Sequence, residues 1–324
     1  MKPTALLEVE NLTVHFPVLR GILRRQVASV HAVDNISFAL FPGETLGFVG
    51  ESGCGKSTVA RCLVGLLPPT HGSIRYKGKT FDEMSPEEVQ RARREIQIVF
   101  QDPSTSLNPR MSIYESLSEP IRVHKLCQGE EEIEKKVVTM LSYVGLDQRV
   151  LQKYPHQFSG GQLQRVCIAK ALTMDPEVLI CDEAVSALDV SVQGQILNLL
   201  IDLQNKLGIA CLFISHDLAV VKQISHRIVV MYLGNQMEEA PTDVLFESPQ
   251  HPYTRALLAA CPKTHPNEKR SNIPLQGEIP SPLNPPSGCR FRTRCPHAEK
   301  RCSEAPPIHR AEEHTFTCIL SWRK

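Results

Sequence analysis

Residues 50–58, GESGCGKST, constrain this chain more than any other stretch. They fit the pattern G-x-x-x-x-G-K-[ST], between the apolar run TLGFV and the helical run TVARCLVGLL, which Pro68 and Pro69 are expected to end. Such a turn requires a strand before it and a helix after it. Its glycines let backbone N–H groups converge on phosphate oxygens, and the helix N-terminus behind them adds about half a positive charge. Gly50, Glu51, Ser52, Gly53, Cys54, Gly55, Lys56, Ser57 and Thr58 are therefore the candidate phosphate cradle. Lys56 is suited to neutralising β and γ phosphates, and Ser57 to offering its hydroxyl to Mg²⁺.

The sequence around this turn predicts a layered α/β domain over residues 1–260, alternating short apolar runs with longer helical patterns. Strands are expected at 45–49, 96–100, 178–181, 210–214 and 228–231. Between the second and third lies a polar, helix-patterned stretch, about 103–172, read as a helical subdomain inserted into the sheet. In residues 191–207, Ile196, Leu199, Leu200, Leu203 and Leu207 fall on one helical face, expected to pack on the sheet. From 261 to 324 the character changes: ten of the 24 prolines lie there, which disfavours long helices and central strands. That region reads as a small Cys/Pro-rich C-terminal appendage.

Composition narrows the function. Lys plus Arg exceeds Asp plus Glu by one, so no electrostatic case exists for wrapping nucleic acid. No apolar run reaches the ~18 residues that span a bilayer, and MKPTALLEVE lacks a signal-peptide pattern. Membrane contact is expected only through partner subunits. Eleven cysteines without an export signal are expected to be reduced thiols, or metal or cluster ligands.

Asp182 and Glu183 follow the strand-like VLIC. Acidic groups at the end of a buried strand are costly unless they meet a cation. Asp182 suits the Mg²⁺ shell, and Glu183 suits polarising an attacking water. With the cradle, this pair implies a nucleotide phosphate site without separating a transporter ATPase from a kinase or GTPase. A second glycine turn, FSGGQ at 158–162, precedes the helical AKAL and forms another anion-binding nest.

Here the sequence resembles the ATP-binding cassette (ABC) family of P-loop, RecA-like NTPases, whose LSGGQ signature FSGGQ matches. Further family motifs follow in order: Gln101 in IVFQD at the Q-loop position, SALD at 186–189 at the D-loop position, and His216 in ISHD at the switch position. The resemblance implies two ATPases closing head to tail over ATP. Each nucleotide lies between one subunit's residues 50–58 and its partner's Ser159, Gly160, Gly161, Gln162 and Asp189. Gln101 and Asp182 join Ser57 around Mg²⁺, His216 contacts the γ-phosphate, and Glu183 activates water. Ala184 departs from the family's usual proline, and the expected adenine-stacking aromatic is missing from LRRQVASVHAVD. Val27, His31 and the more distant Phe16 are the available substitutes.

Finer stretches narrow the resemblance. SLNPR, YPHQFSGGQ, VSALDVSVQ, ISHDLAVV, HPYTRALLAACP and GEIPSPLNPPSGC are similar to ATPases of bacterial oligopeptide and dipeptide importers, in particular the second of their paired ATPases. This implies a second ATPase in a heterodimer, two transmembrane permeases, an extracytoplasmic peptide-binding protein and a place on the cytoplasmic face of the inner membrane. Nickel, haem and antimicrobial peptides are cargoes of near relatives. The segment DPSTSLNPRMSIYESLSEP, after Gln101, is where the family receives a short permease helix.

Cys289, Cys295, Cys302 and Cys318 have the spacing C-x5-C-x6-C-x15-C, wider than in zinc fingers. Four thiolates suit a [4Fe–4S] cluster or Zn²⁺. Arginines 290, 292, 294 and 301 can offset their charge. The resemblance favours the cluster, since some peptide-importer relatives are thought to carry one; zinc and free thiols remain alternatives.

Overall fold

The computed structural model describes residues 4–22, 24–261, 277–311 and 313–320. The chain divides into two compact units, one holding Thr4–Leu40, Thr45–Phe81 and the described residues from Ile214 onward, the other Phe41–Glu44 and Asp82–Phe213.

The first of these units opens with β1 (Leu7–Arg20) and β2 (Arg25–Leu40), an antiparallel pair whose register shifts at several points. β3 (Thr45–Val49) is buried at every position and leads through the glycine turn into α1 (Lys56–Leu63). The helix ends at Leu63, five residues before Pro68, because Gly65 takes φ 71° just beyond the Val64 cap. β4 (His71–Tyr76) and β5 (Lys79–Thr80) complete a sheet of order β2-β1-β4-β5.

The second unit begins with α2 (Pro86–Glu95), started by a Ser85/Glu88 capping box, and β6 (Ile96–Val99). Four helices follow without an intervening strand: α3 (Pro103–Ser106), α4 (Ile113–Val123), α5 (Glu130–Tyr143) and α6 (Gly160–Leu172). β7 (Val178–Asp182) pairs with β6 in parallel, from Ile96↔Val178 to Val99↔Cys181. α7 (Val190–Leu207) buries Ile196, Leu199, Leu200 and Leu203 as expected, and Leu197 as well. Leu207, expected on that face, is 38% exposed because the helix ends there, at Gly208 with φ 69°. The chain leaves this unit along β8 (Ala210–Ser215).

Returning to the first unit, the chain forms α8 (Leu218–Ile224), β9 (Arg227–Tyr232), parallel to β3, and β10 (Asn235–Pro241). Next come α9 (Thr242–Glu247) and α10 (Pro252–Ala260). The described part of the tail adds a short hairpin, β11 (Ile308–Ala311) and β12 (His314–Thr317). β12 pairs with β10 through Glu238↔Phe316, so the tail extends this unit's sheet in the order β11-β12-β10-β9-β3. Phe291 is fully buried, with ring centroids 5.4 Å from Tyr232 and 5.2 Å from Tyr253. The tail thus borrows its apolar anchor from β9 and α10.

Candidate functional site: two glycine turns and their partners

The cradle sits between β3 and α1, as the pattern demands. A Cβ on Gly50 would lie 2.1 Å from the Met231 carbonyl oxygen, and one on Gly55 would lie 2.2 Å from that of Ala32. Gly55 also has φ 104°, where side chains are strained. These two glycines are fixed by close backbone approach. Lys56 is 4% exposed, and its ammonium donates to the Gly50 carbonyl at 2.8 Å and the Glu51 carbonyl at 3.2 Å. The cation is thereby stationed at the loop on which a phosphate is expected to settle. Ser57 and Thr58 open α1, both partly exposed. The buried Cys54 thiol is pushed above its usual pKa by desolvation, with neighbouring Lys56 pulling the other way. His216, in the same unit, is exposed at the turn between β8 and α8.

In the other unit, Asp182 ends β7 with 6% exposure. Glu183 has φ 51°, the left-handed region, which costs a non-glycine residue about 1–2 kcal/mol. Its carbonyl is held twice by Ser186, whose N–H donates at 3.1 Å and whose hydroxyl donates at 2.9 Å. Gln101 Nε2 donates to the same Ser186 hydroxyl at 3.2 Å. Gln101 and the turn carrying Glu183 therefore share one hydrogen-bonded hub. Sequence reading placed Ser186 in a motif but gave it no such role.

Ser159 caps α6: its hydroxyl accepts from Gln162 N–H at 3.4 Å, while Gln162 Oε1 accepts from Ser159 N–H at 3.2 Å. This capping box fixes the backbone and leaves Ser159, Gly160 and Gln162 exposed. Gly161 is buried, and a Cβ there would come within 2.4 Å of Val192 Cγ1 on α7. Asp189, exposed, begins α7 without a side-chain cap bond.

Of the substitutes considered for adenine stacking, Val27 is 56% and Phe16 39% exposed. His31 is engaged elsewhere: Nδ1 lies 3.1 Å from Asp34, and its ring is 4.0 Å from that of His15. His15, His31 and Asp34 form the only set of three potential ligands among the described residues with ligand atoms all within 4.8 Å. Both oxygens of Asp34 already have partners, with Arg290 Nη2 2.5 Å from Oδ2. Beside these groups lies a cleft of about 1000 Å³ lined by Asp34, Asn235, Arg290 and Phe316, among others, but by no residue of the phosphate loop.

The four tail cysteines converge. Burial foremost pushes the Cys289 thiol up to about 11, and negative charge on Cys318, Cys295 and Cys302 adds to the rise. Cys295 and Cys318 are raised in the same way. Their sulfurs are not drawn into a set within 4.8 Å, whereas four thiolates on one Zn²⁺ at 2.3 Å would be about 3.8 Å apart. Of the other seven, Cys62, Cys167, Cys181 and Cys211 are buried, as small core residues are, Cys54 is buried within the phosphate loop, and Cys127 and Cys261 are half-buried.

A strand-bounded phosphate loop, a buried acidic strand end and a second glycine turn capping a helix define an ABC-type ATPase. Comparison with known proteins gives the family. The family described as ABC transporter matches residues 33–186, and the oligopeptide/dipeptide transporter C-terminal region matches 237–302. The oligopeptide transport ATP-binding protein OppF of Escherichia coli K12 is 48% identical over 97% of this chain and 96% of its own. The dipeptide transport ATP-binding protein DppF of Haemophilus influenzae is 48% identical over 96% of this chain and 94% of its own. A solved dimeric, post-hydrolysis state of the ATP-binding cassette MJ0796, bound to ADP and Pi, aligns with TM-score 0.63. It is 27% identical, covering 73% of this chain and 98% of that one. The chain belongs to the ATP-binding subunits of oligopeptide and dipeptide ABC transporters. Among its described residues no helix is long and apolar enough to cross a membrane.

Proposed function

We propose that this chain hydrolyses ATP to power uptake of dipeptides or short oligopeptides through a membrane ABC transporter. The observation carrying this reading is the pair of glycine turns, supported by near-full-length relatives named for peptide transport. In the proposed cycle ATP is bound by residues 50–58 of one subunit and by Ser159, Gly160, Gly161, Gln162 and Asp189 of a second ATPase. Ser57, Gln101 and Asp182 supply the hydroxyl, amide and carboxylate oxygens that a hard cation such as Mg²⁺ prefers. Held by these residues, such an ion would supply positive charge to offset that of the triphosphate. Glu183 takes the proton of the attacking water, and His216 holds the γ-phosphate and the water in register. Closure of the two ATPases drives the permeases, and hydrolysis resets them.

The second ATPase is a different chain, making a heterodimer with two permeases and an extracytoplasmic binding protein. The subunit lies peripherally on the cytoplasmic face of the inner membrane. The exposed residues after Gln101, including Ser104, Asn108 and Arg110, suit a permease helix. The cassette occupies 1–260, with its helical subdomain at about 103–172, and the region 261–324 is built around Cys289, Cys295, Cys302 and Cys318. The electrostatic coupling of these thiols supports a shared metal group, and the resemblance to peptide-importer relatives favours a [4Fe–4S] cluster, with Zn²⁺ the alternative. The Cys302 sulfur accepts the Glu299 N–H at 3.4 Å, a bond that lowers the charge a cluster ligand carries.

Purifying the complex anaerobically and assaying uptake of labelled di- and tripeptides tests both points. ATP-dependent uptake, with iron and acid-labile sulfide in the ATPase, is expected. An active ATPase whose complex moves no peptide rejects the cargo, and a colourless protein with one zinc per chain rejects the cluster.

A further inference from the structure

Glu51 is the second residue of the phosphate loop. It places a carboxylate on a turn that has to receive a triphosphate, and like charges oppose binding unless one is neutralised. The tail neutralises it. Arg294 Nη1 donates to Glu51 Oε2 at 2.7 Å and Nη2 to Oε1 at 3.1 Å, a two-pronged pair. Nη1 also reaches the Tyr232 hydroxyl at 3.3 Å, and Arg294 is only 9% exposed.

The rest of Glu51 is held as well. Its N–H donates to the Tyr253 hydroxyl at 3.0 Å, and its carbonyl accepts from Lys56 Nζ and Cys54 N–H, each at 3.2 Å. Tyr253 stands on α10, capped by His251, whose Nδ1 accepts the Tyr253 N–H at 3.1 Å. Tyr232, Tyr253 and Phe291 form a fully buried ring cluster beneath this arrangement. Arg294 itself is set by a turn between the cysteines: Arg292 N–H donates to the Cys289 carbonyl at 3.1 Å, and Arg294 N–H to that of Phe291 at 2.9 Å. The tail therefore reaches the phosphate loop at both carboxylate oxygens of Glu51, while α10 holds its N–H through Tyr253.

We propose that Arg294 is a positioning residue for ATP binding, cancelling the charge of Glu51 and holding the phosphate loop in its receiving shape. The cysteine-bearing tail is then a brace for that loop. This rests on the ATP-site reading above and adds a task for the tail that the cassette motifs do not supply. The pair is buried on the Arg294 side, so removing the guanidinium leaves a carboxylate facing the triphosphate with no counter-charge.

The test is equilibrium binding of Mg·ATP to the full-length chain, with ATP turnover in the assembled transporter. Arg294→Ala is expected to raise Kd and KM about tenfold while kcat stays within about twofold, the pattern of lost ground-state binding. Adding Glu51→Gln to Arg294→Ala is expected to recover most of the affinity, because it removes the charge that was unmasked. A purely structural role for Arg294 predicts no recovery. Wild-type affinity in Arg294→Ala, or no recovery in the double variant, overturns the proposal. If Arg294→Ala does not fold, Arg294→Gln with and without Glu51→Gln makes the same comparison. The double variant must then bind within about threefold of wild type and the single variant clearly more weakly, the reverse overturning the proposal. Lys56→Ala separates the two levels of inference. If it binds ATP normally, the nucleotide site itself is misassigned; if it abolishes binding while Arg294→Ala changes nothing, only the brace fails.

Discussion

At the phosphate loop, glycines precede α1; at the signature turn, glycines open α6. Both present backbone N–H groups at a helix N-terminus, yet their surroundings differ. Gly50 and Gly55 are hemmed in by the carbonyls of Met231 and Ala32, Lys56 is buried against the loop, and Glu51 is held by Tyr253 and Arg294. The signature turn has its own capping box and one tight contact, Gly161 against Val192, and otherwise stands open. The first is a loop whose shape is held by residues of its own unit of the chain. The second is a rigid, exposed donor surface, the form expected of a part that works on another subunit's nucleotide. Preorganised donors lose little on closing over charge, which is why a capping box serves there better than a mobile loop.

The largest effect expected concerns chemistry that neither turn performs. Glu183→Gln should bind ATP and yet lose turnover in the assembled transporter by about 10²–10⁴-fold, the usual worth of a general base. Near wild-type turnover would remove Glu183 from the role and leave the two turns without a chemical step to serve. Gly161→Ala addresses the comparison directly. Its Cβ collides with Val192 and must displace the start of α6, and a misplacement near 1 Å can cost about 10²-fold in rate. Mg·ATP binding to the isolated chain should stay unchanged, while turnover in the complex collapses and Val192→Ala restores it. Weakened binding by the isolated chain would mean that the open turn is not a trans-acting surface.

How far the sequence revealed this arrangement depended on where each partner lies. Strands β3, β7, β8 and β9 were legible because strands buried on both faces appear as nearly unbroken apolar runs, and β6 because only Gln97 interrupts its run. β1 and β2 escaped notice: their pairing shifts register repeatedly, which breaks the alternation a reader looks for. β10 escaped for another reason. Its Glu238 and Glu239 are buried, and most of the partners that make this tolerable lie on other elements: His251 N–H and His314 for one, Arg227 for the other, which Gln236 of the same strand also meets. The same holds at the site. Lys56, Asp182, Glu183 and Ser159 could be picked out because local backbone chemistry dictates their spacing. The Glu51–Arg294 pair spans 243 positions, and no periodicity encodes it.

The smallest effect separates the two turns by pH. His251 is fully buried at the start of α10, and desolvation foremost lowers its pKa from 6.5 to about 4, although nearby Glu238 pulls upward. Between those values the unfolded chain binds a proton that the folded chain refuses, so stability falls as pH drops through the window. Between pH 7 and 5 this contributes a loss of about 2 kcal/mol. Protonation also removes the Nδ1 acceptor that holds the Tyr253 N–H, and Tyr253 in turn accepts the Glu51 N–H. Because the folded chain takes up this proton only near pH 4, the phosphate loop should loosen there. Urea unfolding at pH 7 and 5 should show wild type losing about 2 kcal/mol more than His251→Asn, whose side-chain oxygen can still cap α10. Mg·ATP affinity should fall more steeply in wild type only as pH approaches about 4, where the folded chain itself takes up the proton. Equal losses in the two proteins would show that the neutral imidazole is not what keeps the loop braced, and would narrow the contrast with the signature turn to its steric part.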